Sequence, residues 1–286
     1  MRNWLYGECV ILTGASSGIG RALCKILIQK YGAYVIGVGR KEEKMLSLIK
    51  ELGADAEKFS YRLFDVSDKT AWEIFALDLK AQNKKPMLLI NNAGVFPTFK
   101  RALDTDMETY EWIMKTNFFS VLYGVETISP LLQNGQKSKK DLAGIVNISS
   151  SASLCTIAGT SGYSATKSAL KAYTEALAME EKGKKYISLI CPGTTATELF
   201  RTDKNSENSA LDLIAMPAEK MAKKIAKSII KKRRRAVLGW DAKLMNWTAK
   251  IAPVKGLFLI SAVMKMSKSK LFAPVFGYEI KDKKEK

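Results

Sequence analysis

Residues 8–30 read ECVILTGASSGIGRALCKILIQK, and this stretch decides the fold. Its first five residues form a short apolar run typical of a buried strand, and its last ten have the apolar spacing of a helix. Between them, glycines allow the main chain to approach a ligand closely, and a helix N-terminus directs N–H groups at an anion. A plain tight turn is the alternative. The context favours a dinucleotide site made by Thr13, Gly14, Ser16, Ser17, Gly18, Ile19 and Gly20.

Strand and helix patterns alternate along the rest of the chain. Strands are predicted at residues 33–38, 58–64, 87–90, 144–149, 186–190 and 236–238, and helices at residues 41–53, 71–82, 106–132, 161–181 and 217–232. Such alternation is typical of the α/β class, in which helices cover both faces of a parallel sheet. We predict a Rossmann-type doubly wound sheet of about seven strands over residues 1–240. A helical extension follows over residues 241–286, with helices at 241–251 and 256–266.

The second and third strands end in residues that suit the adenosine half of a dinucleotide. The second strand ends in Gly39-Arg40, where an acidic residue would hydrogen-bond a ribose 2′-OH. A guanidinium suits a 2′-phosphate instead, so Arg40 favours NADP(H) over NAD(H), the alternative being a solvated arginine. Asp65 and Val66 follow the third strand. Asp65 is placed to meet the adenine amino group or to cap the next helix.

The fourth and fifth strand ends point toward the same edge of the sheet. Asn92, Ala93 and Gly94 follow the fourth strand, where asparagine side chains can connect neighbouring strand ends and glycine leaves space for a cofactor. Ser150 lies just beyond the fifth strand. Ligands of parallel sheets bind beyond the carboxyl ends of the strands. These residues are therefore expected to share one cleft.

Tyr163 and Lys167 lie four residues apart, which places both on one face of a helix. A phenol titrates near pH ~10 and is a poor acid or base at neutrality, but a nearby ammonium favours the phenolate. The pair is thus a candidate proton-transfer device, although each residue alone fits an ordinary packed aromatic or a surface lysine. Asn117 lies within the predicted helix 106–132, where a buried amide must find partners.

Composition excludes several function classes. The chain has no histidine, which rules out a Ser-His-Asp hydrolase and a histidine-based metal site, and we predict no metal. Its four cysteines are widely spaced, which favours a reducing, cytoplasmic setting. The first seven residues are too short for a signal peptide. The net charge of +18 is uneven, because residues 217–286 hold 19 basic and 5 acidic residues.

In this order, the motifs resemble those of the short-chain dehydrogenase/reductase family over residues 8–197. The resemblance implies NADP(H)-dependent hydride transfer between a carbonyl and a secondary alcohol. Tyr163 would be the acid/base and Ser150 would bind the substrate oxygen. Lys167 would support the tyrosinate and bind nicotinamide ribose, and Asn117 would hold a water that connects Lys167 to solvent. The resemblance also implies a homodimer or homotetramer through helices 106–132 and 161–181. It assigns the nicotinamide end to Pro192, Gly193, Thr195 and Thr197.

The last third of the chain leaves alternatives open. Residues 194–216 are polar and turn-rich, which favours a mobile substrate lid, and Leu199 and Phe200 lean toward an apolar substrate. The longest uncharged run of the extension, residues 256–264, is too short to cross a bilayer. The extension could pack on its own core, on a second subunit or on an anionic membrane surface. Nucleic-acid binding is disfavoured, because no RNA or DNA module is recognisable.

A different class of function also fits the pattern. The chain could be a catalytically silent NADP(H)-binding sensor or scaffold. The simultaneous presence of Asn117, Ser150, Tyr163 and Lys167 argues against this alternative.

Overall fold

Seven parallel strands form the central sheet. The computed structural model describes residues 3–136, 138, 141–197 and 215–278. The sheet has the order β3-β2-β1-β4-β5-β6-β9, with every neighbouring pair parallel. Its strands are β1 (Cys9–Thr13), β2 (Tyr34–Gly39), β3 (Phe59–Leu63), β4 (Pro86–Asn91), β5 (Gly144–Ile148), β6 (Tyr186–Pro192) and β9 (Arg235–Leu238). The order reverses between β1 and β4, the point at which such sheets bind ligands.

Helices cover both faces of this sheet, so the predicted fold class is confirmed. They are α1 (Gly18–Gln29), α2 (Glu42–Leu52), α3 (Lys69–Ala81), α4 (Met107–Met114), α5 (Ser120–Ile128), α6 (Ser161–Glu180), α7 (Ala218–Ile230), α8 (Trp240–Ile251), α9 (Lys255–Met266) and α10 (Ala273–Phe276). Side chains of alternate residues in β1 point to opposite faces of the sheet. Val10 and Leu12 pack with α1 and α7, whereas Ile11 packs with α3, α5 and α6.

The predicted single helix over residues 106–132 is interrupted, which the sequence pattern did not indicate. Asp106 caps α4 by accepting the Thr109 N–H at 2.7 Å. The chain then forms a π-helical turn at Lys115–Phe119 before α5 begins. Such turns insert one extra residue per turn and often mark functional sites. Here the turn carries Asn117.

The predicted strand 186–190 is longer than expected, because Cys191 and Pro192 continue β6 instead of breaking it. Pro192 occupies the last position, and the Gly193 N–H, not the missing proline N–H, donates to the Leu238 carbonyl at 2.7 Å. A proline is tolerated at a strand end for this reason. The break in the chain therefore comes at Gly193.

Two short strands join the ends of the predicted lid. β7 (Thr195–Ala196) pairs in parallel with β8 (Met216–Pro217), which brings both ends of segment 194–216 together beside the sheet. Residues 198–214, including Leu199 and Phe200, lie outside the described residues. Within the described ranges, no helix combines the length and apolarity needed to span a membrane.

Candidate active site

The turn between β1 and α1 is built so that only glycine fits at three positions. Gly14 and Gly18 have φ values of +68° and +50°, a region that favours glycine. A Cβ on Gly20 would overlap the Gly14 carbonyl and would lie 2.6 Å from the Asn92 amide nitrogen. The absence of side chains leaves a cradle of main chain at the start of α1. This cradle fits the pyrophosphate of a dinucleotide cofactor.

Hydrogen bonds between Thr13 and Asn92 hold the C-terminal end of β4 against this cradle. The Thr13 hydroxyl accepts the N–H groups of Asn92 and Ala93 at 2.9 and 3.0 Å. The Asn92 amide donates to the Thr13 carbonyl at 2.9 Å. Thr13 is therefore a buried structural residue that holds Ala93 in place.

Arg40 and Asp65, which follow β2 and β3, form an ion pair with each other. The guanidinium lies 3.3 Å from the Asp65 carboxylate, and both side chains are well exposed. The other Asp65 oxygen accepts the Ser67 N–H and hydroxyl at 2.9 and 2.8 Å. Burial acts to raise the pKa of Asp65, but the Ser67 hydrogen bonds and the Arg40 charge outweigh it and lower that pKa. Helix α3 is capped by Asp68, so the alternative role of Asp65 as its cap is wrong.

Asn117 is fully buried and clamps the loop after β4. Its side-chain oxygen accepts the Val95 N–H at 2.7 Å, and its amide donates to the Val95 carbonyl at 2.9 Å. The amide also lies 3.3 Å from the Thr166 hydroxyl. A Cβ on Gly94 would come within 3.1 Å of the Asn117 oxygen and 3.3 Å of the Lys167 ammonium. Asn117 thus fixes the path of Gly94 beside Lys167.

Tyr163 and Ser150 meet through their hydroxyl groups. Ser149 is turned away, because its hydroxyl donates to the Lys167 carbonyl at 2.9 Å. Burial raises the pKa of Tyr163 to about 12, while its hydrogen bond with Ser150 acts to lower it. We expected Lys167 to draw this pKa toward neutrality. In the structure burial prevails, because Tyr163 is only 7% exposed, so the phenol carries its proton at pH 7.

Lys167 is a buried cation in the same site. Its side chain is 3% exposed, and its ammonium donates to the Ile148 carbonyl at 3.2 Å. The ammonium lies 5.9 Å from the centre of the Tyr163 ring. Burial lowers the pKa of Lys167 to about 8. A lysine poised this close to neutrality can give or take a proton under ordinary conditions.

Asp241, which the sequence did not single out, shapes the segment after β6. Its carboxylate accepts the Thr194 N–H at 2.6 Å and is buried. A Cβ on Gly193 or on Gly239 would collide with that carboxylate. Asp241 lies at the start of α8, 47 residues beyond Thr194, so no local pattern could have revealed the contact.

A single cleft collects most of the predicted residues. Asn117, Thr13, Ser16, Arg40, Asp65 and Val66 are not part of its lining, and Ile148 and Ser149 are additions that the sequence did not suggest. The predicted residues that line it are Gly14, Ser17, Gly18, Ile19, Gly20, Asn92, Ala93, Gly94, Ser150, Tyr163, Lys167, Pro192, Gly193, Thr195 and Thr197.

One side of Tyr163 faces an apolar cluster. The Tyr163 ring meets Phe96 edge-on with centroids 5.2 Å apart, and Phe99 meets Phe272 in the same way at 5.1 Å. Met264 of α9 completes the buried cluster. The C-terminal helices therefore supply part of the wall beside the phenol.

Comparison with known proteins identifies the family. The family model described as short chain dehydrogenase matches residues 8–208, more than half of the chain. The chain belongs to the short-chain dehydrogenase family. A relative of this short-chain dehydrogenase, benzil reductase ((S)-benzoin forming) of Saccharomyces cerevisiae, is 33% identical over 199 residues, which cover 68% of this chain and 73% of the relative.

Solved structures share the fold of this short-chain dehydrogenase. A short chain dehydrogenase/reductase from Burkholderia phymatum in complex with NAD has a TM-score of 0.71 at 24% identity, covering 85% of this chain and 92% of that one. A short chain dehydrogenase from Escherichia coli CFT073 complexed with NADPH has a TM-score of 0.71 at 21% identity, covering 82% and 98%. Family membership makes the chain an oxidoreductase of alcohol and carbonyl groups. The two solved neighbours hold NAD and NADPH.

Proposed function

We propose that the chain is an NADP(H)-dependent reductase of apolar ketones, or the corresponding secondary-alcohol dehydrogenase. The observation that carries the proposal is the arrangement around Tyr163. A buried, protonated phenol touches Ser150, has Lys167 one turn away, and lies beside a glycine cradle at the switch point of the sheet.

The chain's own residues handle the proton and the carbonyl oxygen. When bound, a nicotinamide cofactor supplies or accepts the hydride. In reduction, the Ser150 hydroxyl hydrogen-bonds the carbonyl oxygen, and the Tyr163 O–H donates its proton as negative charge develops there. The Lys167 ammonium stabilises the resulting phenolate and helps to return a proton to it. Asn117 holds Gly94 in position beside Lys167. In this proposal it also holds the water that connects Lys167 to solvent.

NADP(H) is the proposed form of the cofactor. The support comes from Arg40 at the end of β2, where no acidic side chain belongs to the strand. Its partner Asp65 holds it through an exposed ion pair, and such a pair contributes little and can yield to a phosphate. Asp65 and Val66 would then border the adenine.

An apolar substrate fits the wall beside Tyr163. Phe96, Phe99, Met264 and Phe272 form a buried apolar cluster on that side of the phenol, which favours a ketone with lipid-like, steroid-like or aryl groups over a polar one. Benzil, on which the Saccharomyces relative acts, has this character. The segment 194–216 is proposed as the lid above the substrate.

The remaining proposals concern the setting of the enzyme. A homodimer or homotetramer is supported by exposed apolar side chains on α4 to α6, among them Met107, Trp112, Phe119 and Met179. A cytoplasmic setting is supported by the free thiols Cys9, Cys24, Cys155 and Cys191. We also propose a peripheral contact between the extension, residues 241–286, and an anionic membrane.

A ketone screen tests the proposed function. Oxidation of NADPH and of NADH is followed by absorbance with carbonyl compounds graded from short sugars through benzil to steroid and long-chain ketones. We expect turnover of the apolar members, faster with NADPH. If the chain binds NADPH but oxidises it with none of the ketones above the Tyr163→Phe background, the silent sensor is the better description.

A further inference from the structure

Helices α8 and α9 expose a continuous series of large apolar side chains. On α8 they are spaced at three and four residues, which puts them on one face. Gly256 packs against Thr248 and brings α9 close to α8. We name this surface the α8–α9 face. Its members, each between 52% and 79% exposed, are Trp240, Leu244, Trp247, Ile251, Val254, Phe258, Leu259, Val263 and Met266.

The opposite side of α9 faces the apolar cluster that includes Tyr163. Met264 is buried in this cluster together with Phe99 and Phe272, and Ile260 packs against it. Helix α9 therefore has apolar residues on both sides. Its inner side packs in the cluster that contains Tyr163, and its outer side is exposed.

A groove lined with lysines adjoins the α8–α9 face. Its lining includes Lys220, Lys224 and Lys227 of α7, Lys231 and Arg233 just beyond that helix, and Trp240 and Lys243 of α8. In the described part of the chain, none of these lysines takes part in an ion pair, whereas the neighbouring Lys232 and Arg235 do. Asp241, the acidic residue of α8, is buried on the Thr194 N–H.

We propose that the α8–α9 face and the lysine groove dock on an anionic phospholipid membrane. We further infer that the substrate is a ketone dissolved in that membrane, which reaches Tyr163 past α9. The first inference names the surface that makes the membrane contact proposed above, and the second rests on the proposed reduction of apolar ketones. Tryptophans and lysines side by side on an apolar helix are the composition of an interfacial helix.

Charge complementarity selects the membrane over other occupants. Residues 217–286 hold 19 basic and 5 acidic residues, so a second copy placed on the same surface would meet like charge. The tail 279–286 holds one apolar residue, Ile280, which is too little to cover nine exposed side chains. An anionic bilayer surface satisfies both the cations and the apolar face.

Vesicle flotation of the full chain tests the docking. Vesicles of phosphatidylcholine alone are compared with vesicles that also contain phosphatidylserine, at low and high salt. We expect partition onto the anionic vesicles, weakened by salt. Lys224→Gln with Lys227→Gln should lower the partition coefficient about 25-fold, since each cation near an anionic bilayer contributes roughly fivefold. Trp247→Ser with Phe258→Ser should lower it at least about tenfold.

The matched control removes exposed apolar residues elsewhere. Ile74 and Leu77 on α3 are 57% and 63% exposed, so Ile74→Ser with Leu77→Ser should leave partition unchanged. Equal binding to neutral and anionic vesicles, or none to either at low salt, overturns the proposal. The proposal is also overturned if the unaltered chain does not bind vesicles but forms a dimer, and if Trp247→Ser with Phe258→Ser dissociates that dimer.

Activity then tests the delivery of the substrate. With a long-chain ketone in anionic vesicles, the Trp247→Ser, Phe258→Ser variant should lose turnover about as much as it loses partition. With a water-soluble ketone it should keep the rate of the unaltered chain. If the variant and the unaltered chain reduce the ketone in vesicles at equal rates, the proposal that the substrate comes from the membrane is refuted. Failure of the unaltered chain on every ketone would refute the proposed function, while the flotation result would still decide the docking.

Discussion

Replacing Lys167 with methionine is expected to stabilise the protein while it inactivates the enzyme. The ammonium of Lys167 is almost fully buried, and it donates a hydrogen bond to the Ile148 carbonyl. A buried charge of this kind raises the free energy of the folded state. Methionine has a similar length, is apolar and tolerates irregular surroundings.

The size of the gain follows from the pKa of Lys167, which burial lowers from 10.5 to about 8. At ~1.4 kcal/mol per pH unit, holding this group charged at pH 7 costs roughly 3 kcal/mol. The substitution also removes the hydrogen bond to the Ile148 carbonyl and leaves that carbonyl without this donor, which lowers the stability by about 1 kcal/mol. The variant should therefore unfold with a free energy about 2 kcal/mol higher than that of the unaltered chain.

The pH dependence has a definite sign. Because the folded pKa is the lower one, the folded state bears the whole cost below pH ~8, where the group is charged in both states. The cost declines as pH rises from 8 to 10.5 and then disappears. The buried thiols and Tyr163 have raised pKa values, so they also affect stability at high pH. Their contributions cancel when the two proteins are compared at the same pH.

Urea unfolding of both proteins without cofactor, at pH 7 and again near pH 10, measures the difference. We expect about 2 kcal/mol in favour of the variant at pH 7 and a clearly smaller gain near pH 10. A variant that is less stable than the unaltered chain at pH 7, or a gain that does not change with pH, would refute the assignment of a buried charge to Lys167.

Three further substitutions test the other parts of the site. Arg40→Asp should raise the KM for NADPH about 10- to 100-fold, through loss of a charge-assisted hydrogen bond, and leave that for NADH much less affected; equal effects on both would exclude a 2′-phosphate site. Gly20→Ala should lower the unfolding free energy by about 2–3 kcal/mol in a urea titration and abolish NADPH binding, since its Cβ would overlap the Gly14 carbonyl. Asp241→Ala should raise the KM for NADPH about tenfold with a smaller change in kcat, because the Thr194 N–H loses its acceptor; an unchanged KM would show that Asp241 has no role in positioning.

Local sequence was enough to predict the parts of the site that depend on neighbouring residues. The glycine turn follows β1 directly, and its requirement for glycine is a property of a few consecutive residues. Tyr163 and Lys167 share a face because of helix geometry alone. The parallel sheet followed from the alternation of strand and helix, which leaves few topologies to consider.

Other features depend on contacts that sequence spacing does not contain. The π-helical turn at Asn117 is one extra residue in a helix whose apolar pattern continues through it. The pKa of Tyr163 depends on its burial in a cluster whose other members, among them Phe96 and Met264, come from distant parts of the chain. The pattern of α9 is apolar on every side, so only the packing shows which residues remain exposed.

The kinetics of Tyr163→Phe test most directly whether this phenol is the proton donor. The substitution removes one oxygen from a buried ring and leaves the Lys167 side chain and the glycine cradle in place. With the best ketone from the screen, we expect kcat to fall about 10³-fold while the Kd for NADPH changes less than about threefold. A variant that binds NADPH and keeps kcat within tenfold of the unaltered enzyme would contradict the proposed role of Tyr163.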